Sequence, residues 1–360
     1  MRHLVLLVLA GVLTVPASSV STSEPIRGDE PRSVSVAFTG DTLIYPAMSS
    51  RAARNGSPYD FRPMFADVRP VISTADLAIC HLEVPLSKDN TGLAGYPLFA
   101  APRQVADGLA YAGYDGCSTA SNHSYDRSTS GVFETIEILA DVGLSQSGMA
   151  VKPDEAWKAT YYELDGLTLA HISATYWLNG LRMPEDQQWL VQLLDKDEIL
   201  AIAARARVMG ADVVVVSIHC CIEYQANPTE AQRQLNHDLI KSDDVDLVVG
   251  HHSHVVGPIE RVGGEYIVHG LGNCLSAQNQ FPALRDGVIA IANLEQRNGD
   301  WEVVGIDVVP TWVEPGTYRV LPAARANPAS FERTMATVTS YGAPGIKEFQ
   351  WTRTRLAPLR

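Results

Sequence analysis

The sequence predicts an α/β protein whose polar residues gather at one edge of a sheet. After residue 33, short apolar runs alternate with amphipathic stretches along most of the chain, an alternation typical of layered α/β folds. The clearest apolar run, ADVVVVSIH at 211–219, is rich in β-branched residues. That composition predicts a strand covered on both faces.

Local patterns predict the individual elements. Residues Val132, Ile136, Leu139 and Val142 have the three-and-four spacing of a helix face, and Thr229 begins a capping-box pattern. The predicted strands are 33–38, 76–83, 116–120, 167–174, 211–219, 246–250 and 265–269, with an antiparallel pair at 287–294 and 301–309. The predicted helices are 129–142, 196–209 and one that begins after Thr229, and an inserted lobe near the site is predicted at 151–195.

The two ends of the chain are interpreted separately. Residues 1–17 predict a signal peptide, because a basic start precedes an apolar run at 4–15 and the small-residue pattern Val15-Pro16-Ala17. That run is shorter than the roughly 20 residues of a membrane-spanning helix, although an uncleaved N-terminal anchor is the alternative. We expect a linker at 18–33, a folded domain at 34–310, and a C-terminal extension at 311–360 packed on or near the domain.

Charge and cysteine content limit the possible ligands. A net charge of −13 disfavours nucleic acid, whose binding requires phosphates to be neutralised. An anionic substrate would need local cations, and bound metal is the obvious source. The five cysteines contain no CxxC pair, and their odd number leaves at least one without a partner in the chain. We expect most of them to be small core residues.

The polar residues best suited to catalysis or metal binding fall at the ends of predicted strands. They are Asp41, Glu83, Asn122, His123, His219, His251, His252 and His254. Ligand sites of layered α/β folds assemble at the carboxyl ends of strands. Carboxylate and amide oxygens with several imidazoles, and no thiolate, suit a pair of divalent ions such as Mn, Zn or Fe.

Each position also has a simpler interpretation when it is taken alone. Asp41 would suit a turn or helix cap, Glu83 a solvated loop, and Asn122 an Asx turn. His219 would suit a core histidine with its hydrogen bonds satisfied. The run of three imidazoles at 251–254 is the hardest to explain without metal, and the positions together favour a metal site.

Short motifs then connect the chain with a known family. They are Thr39-Gly40-Asp41, Leu82-Glu83, Ser121-Asn122-His123 with Asp126, His219 with Glu223-Tyr224, Gly250 to His254, and Leu271-Gly272-Asn273. In this order they resemble CapA-type proteins, the poly-γ-glutamate capsule biosynthesis family, over residues 34–295. That family is similar to the calcineurin-like metallophosphatases. The resemblance implies a layered α/β/β/α sandwich of metallophosphatase type.

The resemblance also implies a role for each matched position. One or two divalent ions would be held by Asp41 and His254 at the first place, by Asn122, His219 and His252 at the second, and by Glu83 between them. His123 would act as the general acid. Three further residues would orient these groups or contact the substrate: Asp126, Glu223 and Asn273.

Three departures from the family pattern affect this assignment. Metallophosphatases usually carry a histidine two residues after the first aspartate, where this chain has Leu43, so the first metal would be weakly held or absent. Cys220-Cys221 replaces a frequent Trp-Gly pair. His81 replaces a frequent asparagine, and a spectator role is favoured for it. The choice between His251 and His252 as a ligand stays open.

The resemblance therefore implies an exported cell-envelope protein of capsule or poly-γ-glutamate biosynthesis. We expect a metal-dependent hydrolase or transferase acting on a phosphoester or an amide. Its partners would be an envelope polymer or phosphoester substrate and capsule-synthesis membrane proteins, without nucleic acid. The alternative is a non-catalytic envelope scaffold or polymer-binding protein with the same fold. A periplasmic nucleotidase is a weaker interpretation, because the sequence indicates no separate base-stacking domain.

Overall fold

A computed structural model describes residues 32–350. The predicted signal peptide at 1–17 lies outside the described residues, as does most of the predicted linker, and Ser33 already begins the first strand. Within residues 32–350, no helix is both long and apolar enough to cross a membrane.

The described residues form many short strands and helices. In chain order the strands are β1 (Ser33–Leu43), β2 (Leu77–Leu82), β3 (Leu86–Ser87), β4 (Ala101–Pro102), β5 (Gly116–Ser118), β6 (Ser145–Ser147), β7 (Thr160–Leu164), β8 (Leu167–Thr175), β9 (Val213–His219), β10 (Leu247–His251), β11 (Ile259–Val262), β12 (Glu265–Val268), β13 (Asn273–Ser276), β14 (Asp286–Arg297), β15 (Asp300–Val313), β16 (Val320–Pro322) and β17 (Ile346–Glu348). The α-helices are α1 (Pro46–Asn55), α2 (Arg62–Phe65), α3 (Arg69–Ile72), α4 (Gln104–Ala112), α5 (Ser128–Asp141), α6 (Lys196–Val208), α7 (Glu230–Ile240), α8 (Ala323–Ala326) and α9 (Pro328–Val338).

Two large sheets organise these strands. The first has the order β16-β15-β14-β1-β2-β5-β6, with β13 also pairing with β1 and β17 with β15. The second has the order β11-β12-β10-β9-β8-β7. The central pairs β1–β2, β2–β5, β8–β9 and β9–β10 are parallel. Parallel pairing brings the carboxyl ends of these strands to one edge of each sheet.

The buried apolar residues show four layers. Val36, Ile79 and Val215 belong to a core that both sheets share. A second core joins the other face of the first sheet to helices α1 to α5, and a third joins the other face of the second sheet to α6 and α7. This arrangement is the α/β/β/α sandwich that the sequence predicted, and it confirms the fold class. Apolar burial on both faces explains why the central strands are almost continuously hydrophobic.

Several boundaries differ from the sequence prediction. Strand β1 extends to Leu43, so Asp41 lies within the strand near its carboxyl end and not after it. Pairing with β13 explains the extension, because Asp41 is in register with Asn273. Strand β15 continues to Val313, and β16 and β17 pair with it. The described part of the predicted extension therefore adds strands to the first sheet.

The cysteines are mostly core residues, as expected, but four of them are also paired. Cys80 and Cys117 lie opposite each other on β2 and β5 and form a disulfide. Cys220 and Cys221 form a second disulfide between adjacent residues, directly after His219. Cys274 is a buried free thiol. The sequence predicted at least one unpaired cysteine but did not predict the pairs.

Candidate metal centre

The carboxyl ends of strands from both sheets supply the polar side chains of one buried cluster. Asp41 lies near the end of β1 and Glu83 follows β2, whereas His219 and His251 are the last residues of β9 and β10. His219 and His251 are in register on neighbouring parallel strands. The predicted strand-end residues are therefore brought together between the two sheets.

A close approach of two chain segments holds Asp41 in place. A Cβ on Gly40 would come within 1.9 Å of the carbonyl oxygen of Gly272, so only glycine fits there. The backbone N–H of Asp41 donates to the same oxygen at 2.9 Å. This contact holds the Thr39-Gly40-Asp41 segment against the Leu271-Gly272-Asn273 segment.

The residues predicted for the second metal place lie close together. Ligand atoms of Glu83, His219 and His252 all lie within 4.8 Å of one another. His219 Nε2 is 2.8 Å from Asn122 Oδ1, 3.1 Å from His252 Nδ1 and 3.8 Å from Glu83 Oε1. The structure thus gathers all four residues that the resemblance placed there.

The first predicted metal place shares Glu83 with the second. Asp41, Glu83 and His254 form another group whose ligand atoms lie within 4.8 Å of one another. His254 Nδ1 is 3.0 Å from Asp41 Oδ2, and His254 Nε2 is 3.7 Å from Glu83 Oε1. Membership of both groups is what a bridging carboxylate requires.

Two further histidines lie inside the cluster. Asp41, His81 and His251 form a third group of mutually close ligand atoms. The rings of His81 and His251 are stacked, with centroids 4.0 Å apart. His81 hydrogen-bonds Ser118 Oγ at 2.7 Å through Nδ1 and His219 Nδ1 at 2.8 Å through Nε2. The histidine favoured as a spectator therefore contacts a candidate ligand directly.

The loop after β10 is held in a costly backbone conformation. His252 and His254 have φ angles of 82° and 56°, in the left-handed region that non-glycine residues rarely adopt. Such residues cost on the order of 1–3 kcal/mol and cluster at functional sites. The backbone N–H of His252 lies 3.5 Å from Asp41 Oδ1, which helps to fix the loop.

Burial and neighbouring charges shift the pKa values of both carboxylates and of His254. Burial raises the pKa of Glu83 well above its usual value, and the nearby charge of Asp41 adds to the effect. Burial would also raise the pKa of Asp41, but the imidazoles of His251 and His254 hold it well below its usual value. Burial acts to lower the pKa of His254, but Glu83 and Asp41 raise it to about 9.

The other candidate ligands favour the neutral imidazole that metal binding requires. Burial, with neighbouring histidines, lowers the pKa of His219 well below its usual value and that of His252 to about 3. Both oxygens of Glu83 are buried and accept no hydrogen bond from any residue of the described range 32–350. Orphaned carboxylate oxygens among neutral imidazoles fit divalent cations, since nothing else in that range satisfies them.

The predicted general acid has a defined partner. His123 Nδ1 lies 2.7 Å from Asp126 Oδ2, which also accepts the backbone N–H of Phe99 at 2.7 Å. The ring of Phe99 packs edge-on against His123, with centroids 4.7 Å apart. Asp126 is thus placed to fix the ring of His123, with Nε2 on the side of the ring away from Asp126.

The two remaining predicted residues lie beside His254. Asn273 Oδ1 is 3.2 Å from His254 Nδ1, and the Asn273 amide group donates to Gln278 and to the carbonyl of Leu284. Glu223 Oε1 is 3.9 Å from His254 Nε2, and its side chain is 37% exposed. Asn273 is therefore a fixed support, whereas Glu223 lies beside His254 and is partly exposed to solvent.

Sequence reasoning missed two residues of the loop after β8. The segment 151–195 was predicted as an inserted lobe, but its residues 160–164 and 167–175 form β7 and β8 of the second sheet. The Tyr176 hydroxyl lies 3.3 Å from His252 Nε2, and Asn179 contacts both Asn122 and His123. Tyr176 directly follows β8, so the rule that site residues gather at the carboxyl ends of strands, here called the strand-end rule, could have found it. No local signal marks Asn179, a single asparagine in an irregular loop.

The four-layer sandwich, with carboxylates and histidines at the shared strand edge, is a fold of metallophosphatase type. The chain belongs to the family described as bacterial capsule synthesis protein PGA_cap, which matches residues 35–278. The resemblance to CapA-type proteins, drawn from the sequence motifs, is thereby confirmed.

Two curated relatives and one solved structure illustrate the similarity. The PGA biosynthesis protein CapA of Bacillus subtilis is 25% identical over 76% of this chain and 72% of its own length. The capsule biosynthesis protein CapA of Bacillus anthracis is 23% identical over 89% and 78%. A putative 5′-nucleotidase from Staphylococcus aureus has a TM-score of 0.51 and 14% identity, over 84% of this chain and 58% of its own. That last likeness concerns the fold alone.

Proposed function

We propose that this protein is an exported, metal-dependent hydrolase or transferase of capsule or poly-γ-glutamate biosynthesis, acting on a phosphoester or an amide. The observation that carries the proposal is Glu83, whose two buried oxygens lack hydrogen bonds between the imidazoles of His219 and His254. A buried carboxylate without hydrogen bonds costs folding free energy, and a bound cation would offset that cost.

The chain's own residues have separable tasks in this proposal. Asp41 and His254 would hold the first ion, Asn122, His219 and His252 the second, and Glu83 both. Divalent ions so held supply Lewis-acid stabilisation of developing negative charge and activation of water near neutral pH. The surrounding residues exclude bulk water, since every one of these six side chains is buried.

His123 would hold and deliver the proton for the leaving group. In this role Nδ1–H would donate to Asp126, and the proton to be delivered would lie on Nε2. The carboxylate of Asp126 would stabilise the charged imidazolium before transfer. Asn179, within 3.5 Å of both ring nitrogens, would help to orient the ring.

A cavity beside the centre offers space for the rest of the substrate. It has a volume of about 450 Å³ and begins at Tyr176, the residue that contacts His252. Trp177 is 49% exposed, and Leu181 and Arg182 complete one side of the cavity. This size lies within the usual range of ligand pockets.

Export and the envelope partners are also part of the proposal. The chain's two disulfides support export, because disulfides persist mainly in oxidising compartments. Both curated relatives are named for capsule or PGA biosynthesis. An envelope polymer or phosphoester is therefore the proposed substrate, and capsule-synthesis membrane proteins are the proposed partners.

The alternative is a non-catalytic scaffold that retains the fold and at most one metal. Leu43 favours this alternative, because it stands where a metal-binding histidine is usual and packs into the apolar core under α1 to α5. Hydrolysis of p-nitrophenyl phosphate and bis-p-nitrophenyl phosphate with added manganese tests the choice. Nucleotides and γ-glutamyl amides belong in the same screen.

The matched control for that screen is Asn122→Ala, with metal content measured by mass spectrometry. An enzyme would bind two equivalents of metal and lose most hydrolysis in the variant. Absence of hydrolysis, or hydrolysis indifferent to Asn122→Ala, would establish the scaffold instead.

A further inference from the structure

We infer that the substrate of the metal centre is a phosphodiester that carries a sugar ring on each side, as in a phosphodiester-linked glycan. The inference rests on the proposed function, because it takes the bond that is broken to lie at the metal centre. Its evidence lies outside the metal ligands, in two pairs of exposed aromatic rings, one beside each metal place.

The first pair, Tyr176 and Trp177, lies beside the second metal place. These residues are 40% and 49% exposed, whereas large aromatic side chains are usually buried for the most part. The ring of Tyr176 packs against that of His252, with centroids 5.2 Å apart, and the ring of Trp177 lies 6.2 Å from that of Tyr176. Both aromatic residues line the cavity of about 450 Å³ beside the centre.

The second pair, Tyr224 and Phe281, lies beside the first metal place. The ring of Tyr224 packs against that of His254 with centroids 5.9 Å apart, and Phe281 meets Tyr224 edge-on at 6.0 Å. These two residues are 44% and 38% exposed. Tyr224 has a φ of 66°, which a residue of its size rarely adopts, and its N–H donates to the carbonyl of Ser253 at 2.7 Å. The fold therefore holds this exposed ring at the centre against its local preference.

The two histidines join the pairs into one row of rings. In order, the row is Trp177, Tyr176, His252, His254, Tyr224 and Phe281, and neighbouring centroids lie 5.2–6.2 Å apart. A substrate whose reacting phosphorus lies at the middle of the row can contact an aromatic ring on each side. A phosphomonoester has an organic group on one side only, whereas a diester has two. The row therefore favours a diester.

The angles between the rings favour a sugar over a nucleobase. A base stacks best between two parallel rings, but the planes of Tyr176 and Trp177 are tilted by 52° and those of Tyr224 and Phe281 by 87°. Neither pair can therefore hold a base as a sandwich. A sugar ring needs only one aromatic face for its apolar side, together with hydrogen-bonding groups for its hydroxyls.

Polar side chains accompany both aromatic pairs. Arg182, Glu185 and Gln188 line the cavity beside the first pair. Beside the second, the amide group of Gln278 donates to the hydroxyl of Tyr224 at 3.4 Å. Such groups can hydrogen-bond sugar hydroxyls, whereas a lipid chain would bury them without partners.

Charge argues against a polyanion such as poly-γ-glutamate. Arg182 brings a positive charge to the cavity lining, but Glu185 brings a negative one. Beside the second pair, the side chain of Glu223 lies next to His254 and is 37% exposed. An uncharged sugar avoids repulsion by these carboxylates and by a chain of net charge −13. The single charge of the diester would then lie at the metal centre.

The position of the proton donor assigns the leaving group to the side of Trp177. Asn179, two residues later in the same loop, lies 3.3 Å from Nδ1 of His123. Water adds to phosphorus, the P–O bond to the sugar on Trp177 breaks, and His123 gives its proton to the departing oxygen. The proton that the water releases replaces the one that His123 gave. The products are an alcohol and a phosphomonoester whose sugar lies on Tyr224 and Phe281.

Steady-state kinetics of the full, manganese-loaded protein tests the inference. The probes are synthetic phosphodiesters that join two glucose, two galactose or two N-acetylglucosamine units, with a bis-glycerol phosphodiester as the ringless control. At least one sugar diester should have a lower KM than the bis-glycerol diester. Trp177→Ala and Phe281→Ala should each raise that KM by roughly 3–10-fold at unchanged kcat, and leave the bis-glycerol KM unchanged. Tyr341→Ala is the matched control and should change neither, since Tyr341 is also 39% exposed but packs against His269.

Calorimetry separates this inference from the proposed activity. His123→Asn protein should bind the preferred sugar diester, and adding Trp177→Ala or Phe281→Ala should weaken binding by the same factor. Binding that depends on both aromatic pairs, without hydrolysis by the wild type, would refute the proposed activity and support the sugar diester. Hydrolysis of p-nitrophenyl phosphate, with no sugar diester bound more tightly than the bis-glycerol diester, would overturn the inference and leave the activity intact.

Competing ligands keep the inference testable in the wild-type protein if the alanine variants do not fold. A dinucleotide and a γ-glutamyl oligomer are titrated beside the three sugar diesters under the same conditions. Tighter binding of a sugar diester than of both competitors and of the bis-glycerol diester is the expected result. Tighter binding of either competitor than of all three sugar diesters would overturn it.

Discussion

Residues 32–350 contain two clusters in which histidines surround a carboxylate, one buried and one partly exposed, and they balance the charge of that carboxylate differently. The first is the candidate metal centre. The second, here called the arginine cluster, consists of Arg233 and His237 of α7, Glu260 of β11, and His269 after β12. Arg233 contacts both oxygens of Glu260 at 2.6 and 3.2 Å, and His269 and His237 lie 3.0 and 3.1 Å away.

The difference lies in where the positive charge comes from. The arginine cluster contains its own permanent cation, so burial would raise the pKa of Glu260 but Arg233, His269 and His237 lower it to about 2. Within residues 32–350, Glu83 has no arginine beside it; the charge of His254 lowers its pKa by less than burial raises it, so the pKa stays well above its usual value. Residue types alone do not separate a metal site from an ion-pair network; the satisfaction of the carboxylate oxygens does.

The largest expected effect separates the clusters by metal content. His252→Ala with His254→Ala should remove bound metal and with it all metal-dependent hydrolysis, without unfolding the protein. Glu260→Gln should leave the stoichiometry at the wild-type value, because Arg233 already satisfies that carboxylate. Mass spectrometry of both purified variants, with circular dichroism as the folding control, measures this. Unchanged metal in the double variant would remove the distinction between the clusters.

The next effect concerns the proton donor beside the metal centre. His123→Asn should lower kcat for a phosphodiester by roughly 10²–10⁴-fold, the usual contribution of general acid catalysis. Metal content should not change, since His123 belongs to none of the three groups of close ligand atoms. Steady-state kinetics with substrates of decreasing leaving-group pKa provide the control. A similar loss for every leaving group would contradict the acid role.

A smaller effect is expected on stability, and it falls on the arginine cluster. Glu260→Gln leaves Arg233 without its counter-charge; because the Arg233 side chain is 41% exposed, we expect a loss of about 2 kcal/mol, below the 3–5 typical of fully buried pairs. Urea denaturation with EDTA present measures it without a contribution from metal. Asp238→Asn, on the same helix with its side chain 33% exposed, is a control that should cost less.

The smallest effect is the pH dependence of that difference. The folded-state pKa of Glu260 is lower than its ordinary value of 4.5, so its stabilisation is complete above about pH 4.5 and is lost as the pH falls toward 2. The stability gap between wild type and Glu260→Gln should therefore shrink from about 2 kcal/mol at pH 6 to a fraction of that at pH 3. Arg233, His237 and His269 face position 260 in both proteins, but only the wild type has a carboxylate there. A gap that grows with acid would contradict the ion-pair interpretation.

Most of the layered fold could be predicted because it is encoded locally. The β-branched run before His219 and the capping box at Thr229 both correspond to observed elements, and the Thr229 hydroxyl accepts the backbone N–H of Gln232 at 3.2 Å. The strand-end rule found Glu83 and His219 because parallel pairing fixes which edge they share.

The features that were missed depend on contacts between distant segments. Extension of β1 through Asp41 requires pairing with β13, more than 200 residues away, and no local pattern of the first strand contains that information. His81 lies in a continuous apolar strand, and only the approach of the second sheet places it against His219 and His251. Asn179 reaches the centre through an irregular loop.

Depth of burial has a consequence for how ions would exchange. Four of the candidate ligands are each at most 2% exposed: Asp41, Glu83, His219 and His254. We therefore expect that an ion bound by them would be released only when the loops after β9 and β10 open locally. We expect chelators to strip the protein on a timescale set by that opening rather than by chelator strength. An ion bound there while the chain folds would then be retained in the folded protein.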